Sequence, residues 1–147
     1  MSEFQTDVLT GLAVLLDSQS IGKWRGDDSA YQTDETAIVV GKLPQEPDRA
    51  IALMPYPVSD HHAISDSVLA VQIRTRSGGQ DLRLVTDLSD EIFDFLHGKE
   101  NFTLSTGITI VRCERNSGGS LGQDENKRWE WSDNYYLKLH RPSANRT

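Results

Sequence analysis

Few residues of this 147-residue chain could do chemistry, and they are scattered. His61 and His62 stand side by side between Asp60 and Asp66, a composition that suits a metal ion. Their spacing matches no helical histidine pair, and SDHHAISD is polar, so a solvated loop is the favoured reading. Cys113 is the only cysteine, which excludes an internal disulfide and a thiolate cluster. In ITIVRCER it reads as a small buried hydrophobe. His97 falls in the last turn of a helical segment, where it suits the helix dipole. His140 shares a strand face with Tyr136 and Lys138. Asp90, Glu91 and Asp94 lie opposite an apolar stripe, and Asp27 and Asp28 lie in a polar loop. Both groups read as solvated. The glycine-rich runs Ser77-Gly78-Gly79-Gln80 and Ser117-Gly118-Gly119-Ser120 open no helix in a βαβ unit and read as loop tips. There is no G-x-S-x-G, Walker loop or C-x-x-C. No nucleophile–base pair emerges, so the expectation is a non-enzyme without cofactor or metal.

The residues that stand out are aromatic. Trp129, Trp131, Tyr135 and Tyr136 fall within eight residues, in a chain with three Trp and four Tyr. On a regular strand Trp129, Trp131, Asp133, Tyr135, Leu137 and Leu139 share one face; Glu130, Ser132, Asn134, Tyr136, Lys138 and His140 share the other. Asp133 interrupts the apolar series, so the Trp end is expected to run past the core edge. It either caps the core or meets another protein, a setting in which Trp, Tyr and Arg are enriched.

Two helices and a sheet must position that strand. Phe4, Val8, Leu12 and Leu16 recur at helical spacing and predict a helix over 4–16. TAIVVGKL reads as a buried strand. RAIALMPYPV is the next, and Pro55 and Pro57 suggest that its end lies on a sheet edge or leaves the sheet. In SVLAVQIRTRS, Leu69, Val71 and Ile73 point to the core, while Gln72, Arg74 and Arg76 form a polar, positive face. A second helix over 82–97 carries the stripe Val85, Leu88, Ile92 and Leu96, with Gly98 as its stop. FTLSTGITIVRCERNS is a strand pair or one bent strand. The segment 116–127 reads as a long polar loop, mobile in the free protein and ordered on assembly. The last strand covers 128–141. The order α-β-β-β-α-β-β predicts one α+β domain over 1–147, its mostly antiparallel sheet carrying both helices on one face.

Hydrophobic residues make up 37% and charged residues 25%, as in globular rather than disordered chains. No apolar run reaches the roughly 20 residues of a membrane span, and MSEFQTDVLTG lacks the pattern of a signal peptide, so synthesis and assembly in the cytoplasm are expected. The net charge of −7 argues against gathering free nucleic acid.

The segments AIALMPYPVSD, SVLAVQIRTRSGG, DEIFDFLHG and LGQDENKRWEWSDNYYLKLHRPS, in this order, resemble a family of small phage proteins described as minor capsid proteins. That family is similar to the tail terminators of long, non-contractile-tailed phages. The matching positions are Pro55-Tyr56-Pro57, Gln72, Arg74, Arg76, Leu96-His97-Gly98, Gly122, Asp124, Ser132 through Tyr136 and His140-Arg141-Pro142. The chain departs from the pattern at Lys127, where glycine is frequent, and in its His61-His62 pair. The resemblance implies a virion protein at the head–tail junction. It would form a hexameric ring that caps the tail tube, stops its polymerisation and meets a head-side connector. The implied partners are further copies of the chain (a ring in the virion, with a monomer in solution as the alternative state before the tube end templates it), the tube protein and the connector, with DNA passing through the lumen unbound and no membrane. Gln72, Arg74, Arg76, Trp129, Trp131, Asp133, Asn134 and Tyr136 are the expected assembly residues. Another connector or stopper role, or a small-molecule-binding α+β module built on the Trp129/Trp131 wall, are the alternatives.

Overall fold

The computed structural model describes residues 3–60, 66–141 and 144. The elements run α1 (Phe4–Ser18), β1 (Lys23–Trp24), β2 (Ala37–Val40), β3 (Ala50–Asp60), β4 (Asp66–Arg76), α2 (Leu82–Leu96), β5 (Glu100–Thr103), β6 (Thr109–Gln123) and β7 (Trp129–His140). Seven strands form one sheet in the order β1-β2-β3-β4-β7-β6-β5. The expected α+β class holds, with differences in the strands. The two-residue β1 lies in what read as a polar loop, and the sheet is mixed: β1–β2 and β2–β3 are parallel, and the remaining pairs antiparallel.

The core occupies one face of the sheet. Val8, Leu12 and Leu16 of α1 and Leu88, Ile92 and Leu96 of α2 pack with Ile38, Ile51, Leu53, Val71, Ile73, Tyr135 and Leu137. On β4 and β7 these are alternate residues, so both helices cover the same side and the other side has no helix. α1 approaches closely through Gly11, where a Cβ would stand 2.6 Å from Leu104 Cβ. α2 begins at Asp81, whose side chain accepts a hydrogen bond from the Arg83 amide, and ends where Gly98 takes φ +83°.

The prolines of β3 lie at a free edge, as expected. β2 covers β3 only as far as Leu53, whose carbonyl accepts from the Gly41 amide. Backbone groups two residues apart point the same way, so Pro55 and Pro57 turn carbonyls but no N–H toward the open edge. That half-ladder is a poor template for strand addition.

The segment 116–127 departs most from expectation. It is not a long loop: β6 continues to Gln123 and pairs with β7 throughout, from Ser117↔Asn134 to Gln123↔Trp129. Only a short turn remains, and Asp124 organises it. Its carboxylate accepts from the amides of Asn126 (3.0 Å) and Arg128 (2.9 Å) and from Arg128 Nε (2.8 Å). Lys127 takes φ +62°, the left-handed conformation that glycine adopts freely. The polar Gly/Ser composition signalled a loop, but the alternation of β7 supplies a partner for every part of it.

Candidate functional site

β4 and β7 pair over eleven positions at the centre of the sheet, from Asp66↔His140 to Arg76↔Glu130, and carry all eight expected assembly residues. The residues do not form one patch. Gln72, Arg74, Arg76, Asn134 and Tyr136 lie on the helix-free face, whereas Trp129, Trp131 and Asp133 lie on the helix side.

On the helix side Asp133 is only 2% exposed and accepts from Ser89 Oγ of α2 at 2.5 Å and from Trp131 Nε1 at 3.2 Å. Arg115 Nη1 stands 3.8 Å from Oδ1, the oxygen that accepts from Trp131. The Gly118 position opposite needs glycine: a Cβ there would fall 1.9 Å from Asp133 Oδ1. Arg115 lies over the Phe93 ring, on which His97 stacks, and the Arg115 amide donates to His97 Nδ1. A neutral His97 therefore keeps its ring proton on Nε2. Phe93, His97, Arg115, Gly118, Trp131 and Asp133 line an open groove of about 400 Å³. It presents an acid and an imidazole, but Asp133 is held by Ser89 and Trp131, and His97 Nδ1 by a backbone amide. That arrangement fixes the β6–β7 pair against α2 and activates no nucleophile. Trp129 Nε1 donates to the Gln80 carbonyl at 2.8 Å, so both indoles are anchored at the core edge.

On the helix-free face the two arginines of β4 differ. Arg76 is 3% exposed; Nε donates to the Asp48 carbonyl and Nη2 to the Pro47 carbonyl, both at 2.8 Å. This corrects the expectation of a free positive face: Arg76 is a structural clamp. Arg128 works beside it, donating to the Gln45 carbonyl and pairing with Asp48 and Asp124. Together they hold the 41–49 crossover that lets β2 and β3 run parallel. Arg74, two residues earlier, is half-buried, and its buried Nε lacks a hydrogen-bond partner. Among the described residues no ion pair engages it.

Around Arg74 the floor is small: Ala50, Ala52 and Ala70 are buried between larger neighbours. Met54 (45%) and Tyr56 (38%) stand exposed at its side. Tyr56 donates from its hydroxyl to Asn134 Oδ1 at 3.1 Å, and Asn134 Nδ2 donates to Ser117 Oγ at 3.0 Å. Gln72 and Tyr136 are half-buried in the same face. Sequence reasoning missed the contribution of β3: Met54 and Tyr56 join this face because they alternate with Leu53 and Pro55.

Other candidates recede. Cys113 is buried, and burial pushes its thiol up to about 12, which removes it as a nucleophile. His61 and His62 lie outside the described residues. Among the described residues no cluster of three or more His, Cys, Asp or Glu is disposed to hold a metal ion, and no helix is long and apolar enough to cross a membrane.

Comparison with known proteins adds a family to this geometry. No curated protein sequence matches the chain. Among solved structures, one chain of a structure described as the virion of native gene transfer agent (GTA) particle superposes with a TM-score of 0.57 at 13% sequence identity, covering 72% of this chain and 80% of that one. The likeness shows a shared fold. The sequence profile described as bacteriophage tail terminator protein matches residues 15–141, from the end of α1 through β7, and on that ground the chain belongs to the bacteriophage tail terminator family, a family of virion structural proteins.

Proposed function

We propose that this chain acts as a single domain that closes the end of a phage tail tube, assembling there as a ring, hexameric as the resemblance implies. The ring ends tube polymerisation and presents a surface to the head-side connector. The family match across residues 15–141 carries this reading. The geometry supports it by offering unlike surfaces on opposite sides of one sheet. A closed ring needs this, because each copy must meet its neighbour through two different patches. Gln72, Arg74, Asn134 and Tyr136 belong to the contacting surface. Arg76 and Asp133, being buried, act by holding that surface in shape, and Trp129 and Trp131 by anchoring the core edge beneath it. The acidic balance of the chain suits a lumen through which DNA slides without being held.

Electron microscopy of lysates from a phage lacking this chain tests the function. Overlong tubes without heads are the expected outcome. Tubes of normal length that fail to join heads would replace the terminator reading with that of a connector or stopper. Normal virions would remove the chain from tail completion altogether.

A further inference from the structure

We infer that the helix-free face around Arg74 receives the outer surface of α2 from a second copy of this chain. The inference rests on the ring reading and names the two surfaces that would close it.

The receiving face has an unmet need. Arg74 is held half-buried on a central strand, with its Nε out of water and without an acceptor. A buried guanidinium N–H without a partner is costly, and a carboxylate is the group that best satisfies one. Lys138 is exposed on the same face and forms no ion pair among the described residues, whereas Arg76, Arg112 and Arg128 are engaged by acceptors of their own chain. Met54 and Tyr56 add exposed apolar surface, of the residue types that dominate protein contacts.

The outer surface of α2 is its complement. Opposite the buried stripe of Val85, Leu88 and Ile92, the helix turns Asp87, Asp90 and Asp94 to solvent, with Glu91 beside them. None of the four has an ion-pair partner among the described residues, while the basic residue of that surface, Arg83, is already paired with Asp81 at 2.8 Å. Leu84, 47% exposed, borders the same surface and offers an apolar contact to Met54. Glu125 and Glu130 line the hollow beside Arg74 but form no ion pair with it, so the contact rests on a guanidinium N–H that lacks an acceptor meeting a row of unpaired carboxylates.

Their placement matters as much as their charge. α2 packs on the helix side of β4 and β7, directly behind the strands whose other side carries Arg74. A copy that gives its α2 to a neighbour keeps its own Arg74 face free for the next. Such a contact is heterologous, so it propagates from copy to copy and closes if each step turns by a fixed angle. A two-fold dimer would instead pair like surfaces.

Charge exchange tests the pairing without needing its register. Arg74→Glu should leave the chain folded yet leave tails overlong in phage lysates, and Asp87→Arg with Asp94→Arg should do the same. Combining all three substitutions in one chain should restore tails of normal length, because the reversed surfaces again attract. If the combined variant is folded and tails stay overlong, α2 is not the occupant. If Arg74→Glu alone gives normal tails, Arg74 is not in the contact. Normal tails in the complete absence of the chain would instead overturn the terminator reading on which the inference rests.

Discussion

Arg74 and Arg76 share one strand, one face and one side-chain type, yet the two ends of that face do different work. The Arg76 end is closed. Its guanidinium is spent on the carbonyls of Pro47 and Asp48, and Arg128 reinforces it through Gln45, Asp48 and Asp124. The Arg74 end is open: small alanines underneath, exposed Met54 and Tyr56 alongside, and a guanidinium without an acceptor for Nε. An alternation pattern assigns both residues to a polar face. What divides them is the crossover 41–49, which folds over one end of the face and not the other.

The comparison breaks most visibly under charge reversal. Arg76→Glu places an unpaired carboxylate against two carbonyls in a buried site, and should cost about 3–5 kcal/mol, a large part of a domain's stability. Arg74→Glu, at a half-buried site with no partner to lose, should cost less, about 1 kcal/mol. Urea unfolding of the two variants measures the gap; equal midpoints would show that both sites are structural, or neither.

Beneath the open end, Gly118→Ala should cost about 1–3 kcal/mol, because the new Cβ cannot fit beside Asp133 Oδ1. Adding Asp133→Ala should make the two losses less than additive, since the clash goes with the carboxylate. Strict additivity would place the strain elsewhere.

At the closed end, the Asp124 turn should weaken in acid. Burial pushes the carboxyl upward, but the hydrogen bonds and charge of Arg128 outweigh it and hold the group below the ordinary carboxylate range. A depressed folded-state pKa means stability that is fully present above about pH 4, the unfolded value, and lost as pH falls through the lower folded value. Asp124→Asn should therefore lower the melting temperature at pH 7 and lose that effect toward pH 2. The smallest change concerns the same turn. Lys127→Gly should stabilise by a few tenths to about 1 kcal/mol by relieving the positive φ. A lower melting temperature would contradict that strain.

Much of the fold was legible from periodicity. The stripes of α1 and α2, the two faces of β4 and the alternation of β7 emerge as expected, because each follows a burial pattern several residues long. β1 was not legible, since two residues carry no period. The parallel pairing of β2 with β3 was hidden because the return passes through a Pro-bounded stretch without a helix. The strand character of 116–123 was masked by Gly and Ser, which have little strand preference but pair with β7 all the same. For the candidate site, the strand and the face of each residue were readable. The burial of Arg76 and Asp133 was not, because their partners Pro47, Asp48 and Ser89 come from distant parts of the chain.

The most direct test of the central claim is the length of tails formed with a folded Arg74→Glu chain as the only source of this protein. With the chain folded, a surface that builds the terminating ring predicts overlong tubes lacking heads in electron micrographs. Tails of normal length joined to filled heads would contradict it.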